Sequence, residues 1–418
     1  MNKIYVYEEF SSAQPKLMGT LYAEYQKGKE HNSFEFDTDW LKNNQSKFSV
    51  DPDLQSFRGR QFPLGKNTFG LFADASPDRW GRTLMDRRER FLADAEGRKP
   101  RRLNESDYLI GVYDELRMGA LRFKETPDGE FLSNDKDMAA PPWVTLRSLE
   151  EASRNFENEE TTMQIKWLNQ LIKPGSSLGG ARPKATVQAP NGELWIAKFP
   201  SRKDDYDVGA WEKTAYDLAR LCGLNVPECT RESFSKYGST FLVKRFDRNG
   251  MQRVHFASAM TMLGKTDGAS AADGSSYLEL VSFLKSNGAT PKKDLVELWK
   301  RVVFNMAISN TDDHLRNHGF LLTRSGWQLA PLYDINPVPY GDTLSLLVDD
   351  NSNEIDIDLA IETAPYYGIS KKEASIIATD ICKTVDSEWE RIAVGNGLSR
   401  AAINNRRPAF SAGSWLNK

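Results

Sequence analysis

Apolar and polar residues alternate along 3-KIYVYEEF-10 and 18-MGTLYAEY-25, and a period of two predicts half-buried strands. The runs 193-ELWIAKF-199 and 239-STFLVKRF-246 are strand-like too. Between them the period changes: from Val208 to Cys222 apolar residues return every three to four positions, which predicts a helix. The helical period then dominates 277-YLELVSFLKSN-287, 292-KKDLVELWKRVVFNMAIS-309 and 371-KKEASIIATDICKTVDSEWERIA-393. Within that half, 319-GFLL-322 and 327-WQLAPLY-333 predict a hairpin around a turn at Ser325-Gly326. Near the other end, Ser76 followed by Pro77 and Asp78 predicts an N-cap, a proline at the first helical position and an acid in the first turn.

The pattern therefore predicts an α+β chain with a β-containing first half and a helical second half. Two lobes with a cleft between them would follow, and such clefts are common ligand sites. The hydrophilic stretch 125-ETPDGEFLSNDKDMAAPPW-143 predicts a hairpin and linker. Three segments result: a β-rich N-terminal subdomain over 1–125, a mixed core over 144–250 and a helical segment over 251–418. A length of 418 residues supports more than one core.

Charge changes this picture little. Lys and Arg number 55 against 58 Asp and Glu, which gives no global signal for nucleic acid or membrane. No apolar run approaches the ~18 residues of a membrane span. The start, MNKIYVYEEF, lacks a secretory apolar region, and Cys222, Cys229 and Cys382 have no metal or redox spacing. A cytoplasmic protein is expected.

Candidate chemistry gathers in two places. The segment 173-KPGSSLGGARPKA-185 brings bare backbone N–H groups within reach of an anion, because glycine has no Cβ to obstruct it. It is not a Walker A loop, since Lys184 follows Pro183 and no G-K-[ST] occurs. A plain surface turn explains it equally well. Next, Lys198 lies amid the apolar run ELWIAKFP, where a lysine must snorkel or meet an anion. Glu212 then falls near the first turn of the Val208 helix. Glycine loop, strand lysine and helix glutamate is the order of protein-kinase N-lobes. The bland reading of Glu212 is an exposed helix carboxylate.

The second place is 309-SNTDDHLRNHGFLL-322. Asp312 and Asn317 stand in the D-x-x-x-x-N relation of a kinase catalytic loop, with the aspartate near the attacking hydroxyl and the asparagine on a metal ion. The hairpin that follows delivers Asp334, and Mg2+ prefers such carboxylate and amide oxygens. Asp313 reads as a turn or capping residue and Asn310 as a loop-shaping one. His314 and His318 are four apart, a Zn2+ spacing on a helix, but no third ligand is evident. His314 sits two after Asp312, where kinases have a lysine, and either aids charge stabilisation or braces the loop. His255 reads as structural.

Taken in order, SSLGGARPKA, IAKFP, FLVKRFDR, NTDDHLRN and LAPLYDINP resemble the HipA-type serine/threonine kinases, the toxin halves of bacterial toxin–antitoxin pairs. The stretches 33-SFEFDTDWL-41 and 76-SPDRWGR-82 resemble that family's small first subdomain, so the likeness runs over most of the chain. It implies a bilobal protein-kinase-like fold, with a β-rich N-lobe, an extra N-terminal subdomain and an all-helical C-lobe. It implies ATP and Mg2+ as cofactors. Lys198 would contact the ATP phosphates, with Glu212 supporting it. Backbone near Lys244 and Phe246 would read adenine. Ser177, Gly179 and Gly180 would lie in the ATP-covering loop, and His314 beside the phosphates. Asp312 would orient or deprotonate the substrate hydroxyl, while Asn317 and Asp334 would bind Mg2+. Ser177, next to Ser176, would be the autophosphorylation site whose modification ejects the loop.

The resemblance also implies partners. These are a small helix-turn-helix antitoxin, DNA reached indirectly through it, and a protein substrate such as an aminoacyl-tRNA synthetase, with no membrane. The chain departs from the family pattern in carrying Lys244 in place of an acid at the hinge. Arg182 and Pro183 are further departures, in the glycine loop. The basic tail 400-RAAINNRRPAFSAGSWLNK-418 is expected to be solvated and frayed, with a partner or operator contact as the alternative. Two other functions stand beside the kinase: a catalytically inactive kinase fold serving as a regulatory module, and a metal-dependent phosphoesterase. The second leaves Lys198 and the glycine loop without a role.

Overall fold

The computed structural model describes residues 2–44, 48–132, 140–158, 171, 182–410 and 415–416. The chain is a mixed α/β structure that divides into two compact units. The first comprises Met1–Arg202 and Lys244–Ala257, the second Lys203–Val243 and Ser258–Lys418.

In the first unit, strands β1 (Asn2–Glu8), β2 (Lys16–Gln26), β3 (Lys29–Phe36) and β4 (Leu121–Lys124) form a sheet of order β3-β2-β1-β4. The pairings are antiparallel, with a register shift between Val6 and Tyr7. The alternation read from the sequence puts Ile4, Val6, Met18, Leu21, Phe34 and Phe36 into one core with Phe69, Phe72 and Phe123.

Helix Arg79–Ala95 corrects one local expectation. Its N-cap is Asp78, whose carboxylate accepts from the Gly81 N–H at 2.8 Å. Ser76 instead donates its hydroxyl to the Phe72 carbonyl. The cap moves because Asp78 also meets the buried Lys184 ammonium at 2.8 Å, while the Trp80 indole N–H donates to the Lys184 carbonyl. These contacts fix the start of β5 (Lys184–Gln188), which pairs with β6 (Leu194–Lys198) so that Lys184 lies opposite Lys198.

The return of Lys244–Ala257 to the first unit has a specific cause. Asp247, fully buried, accepts from Arg245, Arg248 and the Gly119 N–H. Burial opposes its ionisation, but the two guanidiniums and the amide outweigh that and hold its carboxyl below the ordinary value. Arg245 also donates to the Leu116 and Arg117 carbonyls.

In the second unit, helix Val208–Leu221 packs close to the hairpin of β7 (Cys229–Ser235) and β8 (Gly238–Lys244). Asp207 caps the helix and also accepts from the Ser239 N–H and hydroxyl. Gly209 permits this approach: a Cβ there would fall 2.1 Å from the Ser239 carbonyl oxygen. Helices Tyr277–Asn287, Pro291–Ala307 and Lys371–Gly395 stand where the periodicity put them, the first with a Ser276/Glu279 capping box. Residues 251–418 are mainly but not all helical, because Gly319–Thr323 pairs with Gly326–Leu329. Thr323 lies opposite Gly326, so the turn is Arg324-Ser325, one residue before the expected position.

The tail is not frayed through Phe410. Helix Arg400–Arg406 docks back on its unit, with the Arg406 guanidinium 3.7 Å from the Tyr206 ring centroid. Phe410 stacks on Trp389 at 4.3 Å and lies beside Trp211. Stacking lets an arginine and an aromatic bury together, which composition alone conceals. Among the described residues, no helix is long and apolar enough to cross a membrane.

Candidate active site

Helix Pro291–Ala307 ends on a turn in which Ser309 takes a positive φ of 49°. The loop that follows is built around Asp313. This carboxylate is buried, and its Oδ2 accepts from the Tyr277 hydroxyl at 2.6 Å and the Asn305 amide at 2.7 Å. His318 Nε2 lies 2.8 Å from the same oxygen. Burial opposes ionisation of Asp313, but His318 and the Tyr277 hydroxyl outweigh it and hold the carboxyl below its ordinary value. Asp313 is thus the anchor of the loop. Asn310 extends the anchor: its amide N–H donates to Asn305, and its oxygen accepts from the Asn336 N–H, two residues past Asp334.

With Asp313 turned inward, Asp312 faces solvent. Its carbonyl is pinned by the His314 N–H at 2.9 Å and the Asn317 side-chain amide at 2.8 Å. Its carboxyl is nonetheless raised above the ordinary value. Partial loss of hydration is the main cause, and the Asp334 and Asp313 charges add to it, while His314 opposes. A carboxyl raised in part by a neighbouring aspartate favours a cation nearby.

The surrounding donors fit a hard cation. Asn317 is 2 % exposed, its Nδ2 is committed to Asp312, and its Oδ1 has no hydrogen-bond partner. A buried amide oxygen without a donor is costly unless something electropositive meets it. Asp334 is half-buried and adopts φ 58°, a left-handed conformation for a non-glycine residue. Asp334 and the Asn317 oxygen are the oxygen ligands Mg2+ prefers. Among the described residues, no group of three or more His, Cys, Asp or Glu side chains is placed to hold a metal. His318 is engaged with Asp313 rather than paired with His314 on a common ion.

The remaining sequence-derived residues fall in different places. Lys198 ends β6 in the first unit, half-buried. Lys244 Nζ lies 2.5 Å from Glu193, and Phe246 packs 6.0 Å from Phe256, both in that unit. Glu212 is buried on helix Val208–Leu221 of the second unit. Ser176, Ser177, Gly179 and Gly180 lie outside the described residues. Sequence reading missed Tyr216, Tyr277, Asn305 and Asn336. Only Tyr216 carried a signal, a polar atom four positions after Glu212 on an otherwise apolar stripe.

A family model described as the HipA-like C-terminal domain matches residues 176–389, just over half of the chain. The serine/threonine-protein kinase toxin HipA of Shewanella oneidensis is 28% identical over 213 residues, 43% of this chain and 48% of that protein. A Sinorhizobium fredii protein provisionally named kinase Y4mE is 29% identical over 191 residues, 40% of this chain and 43% of its own. The chain thus spans about half the length of the curated relatives it matches. Among solved structures, a Shewanella oneidensis complex of HipA, HipB and operator DNA superimposes with a TM-score of 0.65 at 18% identity. That match covers 98% of this chain and 95% of that one, and it speaks for the fold.

Proposed function

This chain belongs to the HipA family, and on that premise we propose that it is an ATP- and Mg2+-dependent protein serine/threonine kinase of the bilobal type. The observation that carries the reading is the Asp312 loop. It offers one solvent-facing carboxylate and one buried amide oxygen without a partner, mounted on an anchor whose Asp313 Oδ2 meets Tyr277, Asn305 and His318, and it stands with one aspartate in a left-handed backbone.

Phosphoryl transfer asks a protein mainly for positioning and charge neutralisation. Asp312, with its raised carboxyl and exposed position, would accept or orient the proton of the substrate hydroxyl. Asn317 and Asp334 would hold Mg2+, which supplies charge neutralisation at the phosphates. Lys198 would bind the ATP phosphates with Glu212 in support, and backbone at Lys244 and Phe246 would receive adenine. The Lys244 side chain already meets Glu193, so the change from an acid at that position should matter little to adenine. His314, whose half-buried ring lies beside Asp312, would face the phosphates.

The family reading extends to regulation and partners. Ser177, or its neighbour Ser176, would be autophosphorylated, and a phosphate of about −1.5 to −2 charge would disfavour docking of that loop beside ATP. Gly179 and Gly180 would shape the same loop. A HipB-like helix-turn-helix antitoxin would be the partner and carry the DNA contact, as the composition of the Shewanella complex suggests. The substrate would be a translation component such as an aminoacyl-tRNA synthetase, and the setting cytoplasmic.

Incubation with Mg-ATP followed by peptide mass spectrometry tests this. Phosphate on the Ser176–Ser177 peptide in the wild type, and none in Asp312→Gln, is the expected result. Tight ATP binding with no transfer to the protein or to a cell extract would favour the inactive regulatory module instead.

A further inference from the structure

We infer that Tyr216 is a positioning residue for Asp334, holding its backbone so that its carboxylate can meet the metal ion; this rests on the kinase reading above. The hydroxyl of Tyr216 accepts the Asp334 N–H at 3.2 Å. Both residues belong to the second unit. Tyr216 is fully buried, with its ring 5.0 Å from Phe241, so water does not compete for that hydrogen bond.

The bond sits where the backbone needs it. Strand pairing ends at Leu329, so no sheet ladder fixes residue 334. Flanking contacts tether the segment: the Leu332 N–H donates to the Asn225 carbonyl, and the Tyr333 hydroxyl to the Arg316 carbonyl. Neither acts on Asp334 itself. A non-glycine residue at φ 58° persists only when its surroundings over-determine it. The Tyr216 hydroxyl bonds this amide directly.

The same side chain links two functional groups. Glu212 and Tyr216 are four residues apart on one helix, and so lie on the same face. Helix Val208–Leu221 thus carries both Glu212 and the tyrosine that bonds the Asp334 amide. Movement of that helix would be felt at the metal ligand without any contact to the metal.

The test uses the full chain, with Mn2+ as the probe and ADP present. Mn2+ binding is followed by electron paramagnetic resonance in wild type and Tyr216→Phe, alongside ADP affinity without metal and the Tm of each protein. The half-saturating Mn2+ concentration should rise on the order of tenfold in Tyr216→Phe, the lower end of effects seen for residues supporting a metal ligand. Metal-free ADP affinity should not change. Phosphotransfer at saturating metal should recover most of the wild-type kcat, because only the competent fraction of Asp334 has fallen. Unchanged Mn2+ affinity in the variant, or equal losses of Mn2+ and metal-free ADP binding, would overturn the inference and leave the kinase reading intact. Failure of the wild type to bind Mn2+ with ADP would overturn both. Hydrogen exchange at the Asp334 amide of the wild type needs no variant: slow exchange is expected, and exchange as fast as in an unstructured chain contradicts the inference.

Discussion

The side-chain amide of Asn317 donates to the carbonyl of Asp312 at 2.8 Å, so the proposed metal ligand holds the backbone of the proposed catalytic aspartate. The bond also explains why the amide oxygen of Asn317 is left over for a cation. Replacing Asn317 by alanine should therefore do two things: lower phosphotransfer by about tenfold to a hundredfold, and loosen the loop. Raising Mg2+ should recover only part of the activity, which a Mg2+ titration of kcat would measure.

Asp312 should reveal itself through pH. Its folded carboxyl lies above the unfolded value, so its contribution to stability is most favourable at low pH and is lost as pH rises through the folded value. Asp312→Asn should consequently have a slightly higher Tm than wild type at neutral pH. That advantage should vanish in acid, and it should be modest because the side chain is exposed. Wild-type phosphotransfer should fall as pH drops through the same raised value, since the proton-accepting form is lost.

Asp313 should behave oppositely. Its folded carboxyl is depressed, so the stability it contributes is complete above the ordinary carboxyl range and is lost as pH falls through the folded value. Asp313→Asn breaks a buried pair with His318 and weakens the bonds from Tyr277 and Asn305, at a cost of about 3 kcal/mol. Thermal denaturation should show a large Tm gap at neutral pH that narrows in acid.

Gly209→Ala should cost about 1–3 kcal/mol, because the added carbon meets the Ser239 carbonyl and pushes the Glu212 helix from β8. Chemical denaturation would measure the loss. Phe410→Ala should cost about 3 kcal/mol by the same measurement, because it empties the space between Trp389 and Trp211. A Phe410 variant as stable as wild type would restore the frayed-tail expectation.

Periodicity located helices Val208–Leu221, Tyr277–Asn287, Pro291–Ala307 and Lys371–Gly395 and several strands because each buries one face, and burial of one face is written in a local repeat. The spacing of Asp312 and Asn317 was equally local, and their hydrogen bond follows from it. What escaped depends on residues far apart in sequence. The cap shifted from Ser76 to Asp78 because Lys184 reaches it from another element. The chain returns to the first unit at Lys244 because Asp247 binds an amide 128 positions earlier. Tyr216 escaped because its partner Asp334, which gives its hydroxyl a task, lies 118 positions away.

The central claim is that this chain moves phosphate from ATP with Asp312 as the catalytic carboxylate. A time course of transfer from γ-labelled ATP, with Mg2+ and with chelator, compares wild type with Asp312→Asn. The account predicts Mg2+-dependent transfer by the wild type and a loss of about a hundredfold or more in the variant, which should remain folded and able to bind ATP. Equal transfer by the two proteins, or none by a wild type that binds Mg-ATP, would contradict it.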